Sequence, residues 1–157
     1  PPPMTAPAHP QEERRLAVLR ELALLDTPAE AGLDALVACA ARLTGAPIAL
    51  ITLIDRERQW FKARHGLALT ETPREHAFCS HTIVGDGLLE VPDLRLDPRF
   101  RDNPFVAQAP HVRFYAGQPL QVDGQAIGTL CVIDTAPHAL SADQREVLQQ
   151  LGTAAVE

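Results

Sequence analysis

The sequence contains no long run of lysine or arginine, and its formal net charge at pH 7 is -6. Because binding to phosphate groups needs clustered cations, these features argue against nucleic acid as a partner and disfavour an anionic membrane surface. No apolar stretch approaches the roughly 20 residues that span a bilayer, and the N-terminal residues lack a signal-peptide pattern. We therefore predict a cytoplasmic protein with no membrane insertion.

Cysteine is scarce as well. The three cysteines, Cys39, Cys79 and Cys131, cannot all pair, and their wide separation fits no zinc-binding or redox spacing. We expect all three to be reduced. The composition, with 46% apolar and 22% charged residues, is that of a globular protein and excludes a largely disordered chain.

The 157 residues fit one domain, which we assign to residues 11–157. Residues 1–10 open with three prolines before Met4, and we predict that they are disordered and partly derived from the expression vector. The last helix reaches the end of the sequence without a Gly or Pro stop signal. We expect it to continue into an output module.

Three helices are predicted from apolar spacing and capping residues. Leucines recur every three residues over 11–25, as on one face of a helix. Thr27 and Glu30 form a capping box with proline between them, so a second helix is predicted to begin there and to end at Gly45. A second capping box, at Ser141, begins the last helix.

The strands are predicted from β-branched and alternating segments. The strongest signal is Asp123-Gly124, which is typical of a type I′ hairpin turn. The predicted strands are residues 48–54, 59–64, 88–91, 112–122 and 125–134. Their order indicates an α+β fold, in which helices cover an antiparallel sheet. The two connections of about twenty residues, 65–87 and 92–111, are the best places for a pocket.

Six segments, in this order and spacing, resemble GAF domains of bacterial signalling proteins. They are FCSHTI (78–83), EVPD (90–93), DPRF (97–100), DNP (102–104), RFYAG (113–117) and IGTLCVID (127–134). The resemblance covers residues 12–157. It implies a GAF/PAS-like antiparallel sheet of five to six strands, with the N- and C-terminal helices on one face and a loop-covered pocket on the other.

The resemblance also implies a function. Such domains are sensory modules, not enzymes, that commonly lie upstream of histidine kinases or diguanylate cyclases and often form homodimers through their terminal helices. Ligands in the family range from cyclic nucleotides to tetrapyrroles and small metabolites, so the cofactor stays unknown and the partner is an unnamed small molecule. The Asn-Lys-Phe-Asp-Glu signature of many cyclic nucleotide binders does not occur.

Eleven residues of the two connections and the last two strands are predicted to contact a ligand. They are Phe78, Cys79, His81, Thr82, Asp93, Asp97, Phe100, Arg113, Tyr115, Thr129 and Cys131.

Strand alternation supports the choice of Arg113 and Tyr115. They share one face with Gly117, while Val112, Phe114 and Ala116 face the core. A cation, an aromatic hydroxyl and a gap at glycine suit an anionic or planar ligand. Alternatively, Arg113 pairs with one of the aspartates at 93, 97 and 102 and holds the loop down.

Two further side chains have alternative interpretations. Asp97 before Pro98 predicts a short capped helix whose amides face the pocket, or simply a structural turn. Thr129 shares a strand face with Ile127 and Cys131, and it either lines the pocket beside Tyr115 or satisfies a backbone group.

The thiols and histidines leave other readings open. If residues 75–83 are helical, Cys79 and His81 point apart and cannot share a metal ion, so we predict no metal site. His76 lies three residues before Cys79 and could lower its pKa. Covalent bilin attachment is disfavoured because Ser80 separates the Cys-His pair. Haem has four candidate ligands, His65, His76, His81 and His111.

Two alternative functions remain. The first is a thiol redox enzyme of the free methionine sulfoxide reductase type, which needs Cys79 and Cys131 to meet. Alternatively, Cys131 has no redox role and is simply a small buried residue of the core. The second alternative function is a ligand-free dimerisation module.

Overall fold

Six strands form one antiparallel sheet in the computed structural model, which describes residues 8–156. The predicted disorder of residues 1–10 therefore falls largely outside the described residues. The strands are β1 (Ile48–Ile54), β2 (Arg58–His65), β3 (Glu71–Pro73), β4 (Leu89–Val91), β5 (Phe114–Val122) and β6 (Gln125–Asp134). Their order across the sheet is β3-β2-β1-β6-β5-β4. The predicted α+β class is confirmed.

Three long helices and two short ones complete the described chain. They are α1 (Glu12–Leu22), α2 (Ala31–Thr44), α3 (Cys79–Thr82), α4 (Pro104–Ala107) and α5 (Ala142–Ala155). Ser141 and Gln144 form the predicted capping box of α5. Within residues 8–156, no helix is long and apolar enough to cross a membrane.

The centre of the sheet follows directly from the sequence. β1 is almost entirely apolar, and it pairs with β2 on one side and with β6 on the other. The β5-β6 hairpin turns at Asp123 and Gly124, whose φ angles of 51° and 74° are both positive, as a type I′ turn requires. The strongest local prediction is therefore confirmed.

The sheet carries a different core on each face. The helix-face core is mainly aliphatic, with Phe114 as its buried aromatic residue, and α1, α2 and α5 cover it; its members include Leu16, Leu19, Val37, Leu53, Leu130 and Leu148. The loop-face core lies under the two long connections and is richer in aromatic and sulfur side chains; its members include Leu50, Phe78, Cys79, Phe100, Tyr115 and Cys131. The predicted division between a helical face and a loop-covered face is thus observed.

The bounds of the first two helices differ from the prediction. α1 ends at Leu22 because Ala23 adopts a left-handed conformation with φ of 52°. α2 begins at Ala31 without a side-chain cap, so the predicted capping box at Thr27 is wrong. The reason is that the Thr27 hydroxyl donates to the Leu24 carbonyl and accepts from the Lys62 ammonium, and is not available to the helix.

β5 and β6 correct the predicted alternation in two places. β5 begins at Phe114, so Val112 precedes the strand and packs in the loop-face core, opposite to its predicted side. In the β5-β6 ladder, Leu120 pairs with Gly128 and Gln121 with Ala126, which leaves Ile127 as an extra residue. This bulge turns Ile127 to the helix-face core, so it does not share a face with Thr129 and Cys131.

The first long connection is more structured than the sequence suggested. It contains the edge strand β3, which the prediction missed, and a 3₁₀ turn over Arg74–His76. Ala77 is extended, with φ of -81° and ψ of 124°, and it separates this turn from α3. The helix considered over residues 75–83 is therefore broken in two.

Candidate functional site

A buried cluster of thiols and hydroxyls occupies the middle of the loop face. Its six residues, which we call the thiol cluster, are Thr52, Cys79, Thr82, Tyr115, Thr129 and Cys131. β1, β5 and β6 supply four of them, and α3 supplies Cys79 and Thr82. All six are at most 2% exposed. Five of the eleven predicted ligand residues thus lie together.

Cys79 lies at the centre of the thiol cluster. Its sulfur accepts hydrogen bonds from the Thr129 hydroxyl at 3.0 Å and from the Tyr115 hydroxyl at 3.2 Å. The Cys131 sulfur is 3.9 Å away, within thiol hydrogen-bond distance. Burial raises the pKa of the Cys79 thiol, but hydrogen bonds from Cys131, Thr129 and Tyr115 outweigh burial and leave the pKa below its ordinary value.

The neighbours of Cys79 are shifted the other way. The hydrogen bond with Cys79, together with burial, raises the pKa of the Cys131 thiol well above its ordinary range. Burial and the nearby thiols raise the pKa of the Tyr115 hydroxyl in the same way. Cys79 is thus the group of this cluster that ionises most readily. His76 does not contribute, because it faces the ring of Phe105 in an edge contact.

Gly117 has a simple structural role in this cluster. A Cβ atom at this position would collide with the hydroxyl group of Tyr115. The gap that the sequence suggested for a ligand is therefore filled by the tyrosine of the same strand. Thr82 holds that hydroxyl from the other side, at 2.7 Å between the two oxygens.

Beside the thiol cluster lies an apolar cavity of about 100 Å³, which we call the loop-face cavity. Most of its lining is aliphatic and aromatic, including Leu50, Phe61, Phe78 and Val112. Of the eleven predicted ligand residues, Phe78 is the one that lines it. Gln59, Thr72, His76 and Phe105 also line the cavity.

Gln59 is one of three polar residues, with Thr72 and His76, that line the loop-face cavity. Its side-chain Nε2 donates to the Thr72 hydroxyl at 3.1 Å, but its Oε1 atom is buried and has no hydrogen-bond partner. The residue as a whole is only 7% exposed. A buried carbonyl without a donor costs about 1–3 kcal/mol.

The remaining predicted residues of the two connections have structural contacts. His81 packs edge-on against Phe100, with 4.7 Å between ring centroids, and burial followed by the charge of Arg99 lowers its pKa. Asp93 accepts from the Arg95 amide, and Asp97 accepts from the Arg99 amide. The segment after Asp97 is a turn and not the short helix that was considered.

Arg113 does not pair with the aspartates at 93, 97 or 102. Asp93 and Asp97 instead form ion pairs with Arg95 and Arg99. The Arg113 guanidinium donates to the carbonyl of Val106 at 3.0 Å. It therefore holds the loop down through the backbone of α4, and that expected role is met by a different partner.

Sequence reasoning missed Thr52, Gln59 and Thr72. Thr52 is the single polar residue of β1, and its hydroxyl lies 2.9 Å from that of Thr129. That polar exception within an apolar strand was a usable signal. Gln59 and Thr72 gave none, because their contact depends on the pairing of β2 with the short edge strand β3.

A charged network joins the loop face to α1. Arg74, which begins the 3₁₀ turn before α3, donates both guanidinium nitrogens to Glu12 and one to the Asp55 carbonyl. Glu12 also pairs with the fully buried Arg15, whose guanidinium donates to the Ile54 carbonyl at 2.6 Å. His9, just before α1, lies 3.1 Å from the Ile83 carbonyl. The N-terminal helix is thus fastened to both ends of the segment that carries Cys79.

No group of three or more His, Cys, Asp or Glu side chains within residues 8–156 could hold a metal ion. The four histidines considered for haem, at 65, 76, 81 and 111, do not converge on the thiol cluster, and of the four only His76 lines the loop-face cavity.

The chain belongs to the GAF domain family, whose model matches residues 28–156. It is also similar to a cyclic di-GMP phosphodiesterase of Pseudomonas aeruginosa, with 44% identity over 143 residues. That alignment covers 90% of the chain but 24% of the relative, so the chain spans about a quarter of the relative's length. The identification from sequence of a GAF domain of a bacterial signalling protein is confirmed.

Solved structures with the same fold include proteins of different functions. The GAF domain of an Acinetobacter phosphoenolpyruvate-protein phosphotransferase has a TM-score of 0.67 at 16% identity, with 91% of this chain and 90% of that chain covered. A free methionine-R-sulfoxide reductase of Neisseria meningitidis has a TM-score of 0.66 at 20% identity, with 92% of this chain and 86% of that chain covered. At such low identity, these likenesses concern the fold alone.

Proposed function

We propose that this chain is a non-catalytic regulatory module that binds a small molecule in the loop-face cavity and transmits its occupancy through the terminal helices. The observation that carries the proposal is the apolar loop-face cavity, lined in part by Gln59, whose Oε1 atom is buried and has no hydrogen-bond partner. A folded protein tolerates such a carbonyl most readily where a ligand donates the missing hydrogen bond.

The cavity limits the chemical class of the ligand. A dry cavity of about 150 Å³ holds benzene, so a volume of about 100 Å³ suits a compact body of about five non-hydrogen atoms. The lining favours an apolar body, and Gln59 favours one N–H or O–H donor. A whole nucleotide is too large and too strongly charged for this cavity.

The route of transmission is the network around Glu12. A ligand that touches His76 and Phe78 contacts the segment that Arg74 and Ile83 fasten to α1. If the ligand prefers one position of that segment, it shifts the population of α1 positions by its difference in affinity. Pairing of terminal helices in a homodimer would pass this change to a neighbouring module.

The similarity to a cyclic di-GMP phosphodiesterase suggests the setting of the module. We propose that it regulates a bacterial enzyme of cyclic di-GMP turnover, in place of the histidine kinase considered from sequence. The chain matches about a quarter of the relative, which leaves room in the relative for a separate catalytic part that such a module would regulate.

Binding of pyrrole and furan, followed by amide chemical shifts in solution, tests the ligand proposal. The two five-membered rings have nearly the same size, but only pyrrole donates an N–H. We expect pyrrole to bind about 5- to 10-fold more tightly, because one hydrogen bond contributes about 1 kcal/mol. The near-isosteric Gln59→Met variant should remove this preference. Equal binding, or a preference for furan, contradicts the proposal.

Hydrogen exchange tests the transmission route. Pyrrole should change the exchange of α1 amides in the unmodified chain but not in Arg74→Gln. Arg56→Gln is the matched control, because Arg56 also pairs with α1, through the exposed Glu13, but lies outside the cavity segment. An unchanged α1 in all three proteins would contradict transmission.

The distance of 3.9 Å between Cys79 and Cys131 favours one second candidate, a thiol redox enzyme of the free methionine sulfoxide reductase type. Repeated turnover of free methionine sulfoxide with a thiol reductant, lost in Cys79→Ser, would support it over a non-catalytic module.

A further inference from the structure

The hydroxyl groups around Cys79 form a directed set of donors. When Thr129 donates to the sulfur, its own oxygen is free to accept from Thr52, 2.9 Å away. The Thr52 oxygen in turn accepts from the Thr129 amide at 3.1 Å. Each donor on this side of the sulfur is therefore supported by another donor behind it.

The same arrangement occurs on the opposite side of the sulfur. When Tyr115 donates to Cys79, its oxygen accepts from Thr82 at 2.7 Å. Two hydroxyl donors thus converge on one sulfur, and the Cys131 thiol lies 3.9 Å from it, where its S–H can become a third donor once Cys79 has lost its proton. A thiolate accepts all three, whereas a neutral thiol carries a proton that competes with them. The geometry is that of a site for a sulfur anion, in the way that an oxyanion hole is a site for an oxygen anion.

We propose that Cys79 and Cys131 form a peroxide-oxidisable thiol pair, with Cys79 as the nucleophile and Cys131 as the resolving thiol. This modification site needs no ligand in the loop-face cavity and stands apart from the proposed sensory function. The oxidant is a hydroperoxide, of which hydrogen peroxide is the smallest.

The reaction has two balanced steps. The Cys79 thiolate attacks one oxygen of the hydroperoxide, the O–O bond breaks, and the proton released by the thiol goes to the departing oxygen. Cys79 becomes a sulfenic acid, oxidised by two electrons, and the peroxide is reduced to an alcohol or water. The Cys131 sulfur then attacks the Cys79 sulfur, an S–S bond forms, and the S–O bond breaks. The hydroxyl group leaves with the Cys131 proton as water.

The surroundings of the pair allow this closure. A disulfide needs the sulfurs about 2 Å closer than the 3.9 Å observed, because an S–S bond measures about 2.05 Å. Cys131 is fixed in the central strand β6, whereas Cys79 lies on the four-residue helix α3 between two irregular segments. α3 is therefore the element that moves. Because Arg74 and Ile83 flank α3 and hold α1, oxidation would shift the attachment of that helix.

Intact mass and disulfide mapping after treatment with hydrogen peroxide test the proposal. The reduced 157-residue chain is oxidised under native conditions, denatured, and treated with N-ethylmaleimide. We expect the number of alkylated cysteines to fall from three to one, with a peptide linking Cys79 to Cys131. The exposed Cys39 stays available and serves as the internal reference for a thiol outside the cluster.

Variants separate the two roles. Cys131→Ser should stop the reaction at a sulfenic acid on Cys79, which dimedone traps. Thr129→Val removes one donor at nearly constant volume and should slow oxidation of Cys79 by about 10-fold, while Thr129→Ser keeps the rate. Circular dichroism and thermal unfolding establish that each variant is folded, and Cys39→Ser should leave the linked peptide unchanged.

Three results would overturn the proposal. One is alkylation of all three cysteines after peroxide treatment of the folded chain. The second is a disulfide that always contains Cys39. The third is oxidation of Cys79 at the same rate in Thr129→Val and in the unmodified chain, because the donors would then have no role in forming the thiolate.

Discussion

The two faces of the central sheet differ in the kinds of side chain that pack on them. On the helix face, aliphatic side chains from α1, α2 and α5 pack against β1 and β6, and Leu16, Leu19 and Leu148 are fully buried. On the loop face, aromatic rings, thiols and hydroxyls lie under irregular segments, beside a cavity with an unpartnered carbonyl. The helix face also has a buried amide oxygen without a partner, that of Gln118 beside α5, so the two faces differ in the thiols and hydroxyls that the loop face alone collects.

Matched leucine truncations give the largest test of this comparison. Leu19→Ala on the helix face and Leu94→Ala on the loop face both remove a side chain that is 0% exposed. We expect losses in the range of about 2–5 kcal/mol, with Leu94→Ala at the lower end because its irregular surroundings can collapse into the space. Urea unfolding measures both. A larger loss for Leu94→Ala would mean that the loop-face core, and not the helix-face core, contributes more to stability.

The control for both truncations is Leu96→Ala. This leucine lies two residues from Leu94 but is 82% exposed. Its removal should change the free energy of unfolding by less than about 0.5 kcal/mol.

The charged network between the two faces gives a medium effect that depends on pH. Burial raises the pKa of Glu12, but hydrogen bonds from Arg74 and Arg15 outweigh burial and lower it from 4.5 to about 2. Because the folded pKa is the lower one, the stabilisation is present above pH 4.5 and disappears as the pH falls towards about 2.

Glu12→Gln should therefore destabilise the chain by about 1 kcal/mol at pH 7, after allowance for solvent screening of this half-buried carboxylate. The difference in free energy of unfolding between the two proteins should shrink between pH 4.5 and 2. A constant difference over this range would show that Glu12 acts through its shape and not through its charge.

The last effect is about as large as that of Glu12→Gln and is confined to the helix face. Ser141→Ala removes the cap of α5, in which the serine hydroxyl accepts from the Gln144 amide, and should cost about 1 kcal/mol. The rate at which peroxide oxidises Cys79 should stay the same, as measured by dimedone labelling. A changed rate would mean that the two faces are not separable. Ser141→Asp, which keeps a capping oxygen, is the control.

Local signals were enough to predict the frame of the fold. Asp123-Gly124 defined the hairpin because the turn requires two positive φ angles, which those residues tolerate. The Ser141 cap succeeded because both of its hydrogen bonds are made within one helical turn. The cap at Thr27 failed because a distant residue, Lys62, occupies its hydroxyl.

The candidate site depended more on contacts between distant segments. Strand alternation and the family resemblance agreed on one group of predicted site residues, and the structure places these residues in contact. They are Cys79, Tyr115, Thr129 and Cys131. The cavity could not be foreseen, because Gln59 faces it only through the pairing of β2 with β3. The bulge at Ile127 likewise follows from the register between two strands, which neither strand determines alone.

Thr52 and Thr129 are direct partners across β1 and β6, the two middle strands of the sheet. Each hydroxyl satisfies the other in a place that water does not reach. Replacing one of them with an aliphatic residue would leave the other hydroxyl with a single remaining partner, the Cys79 sulfur for Thr129 or the Thr129 amide for Thr52. The two positions are therefore energetically coupled, so a substitution at Thr52 should reach the Cys79 sulfur through Thr129.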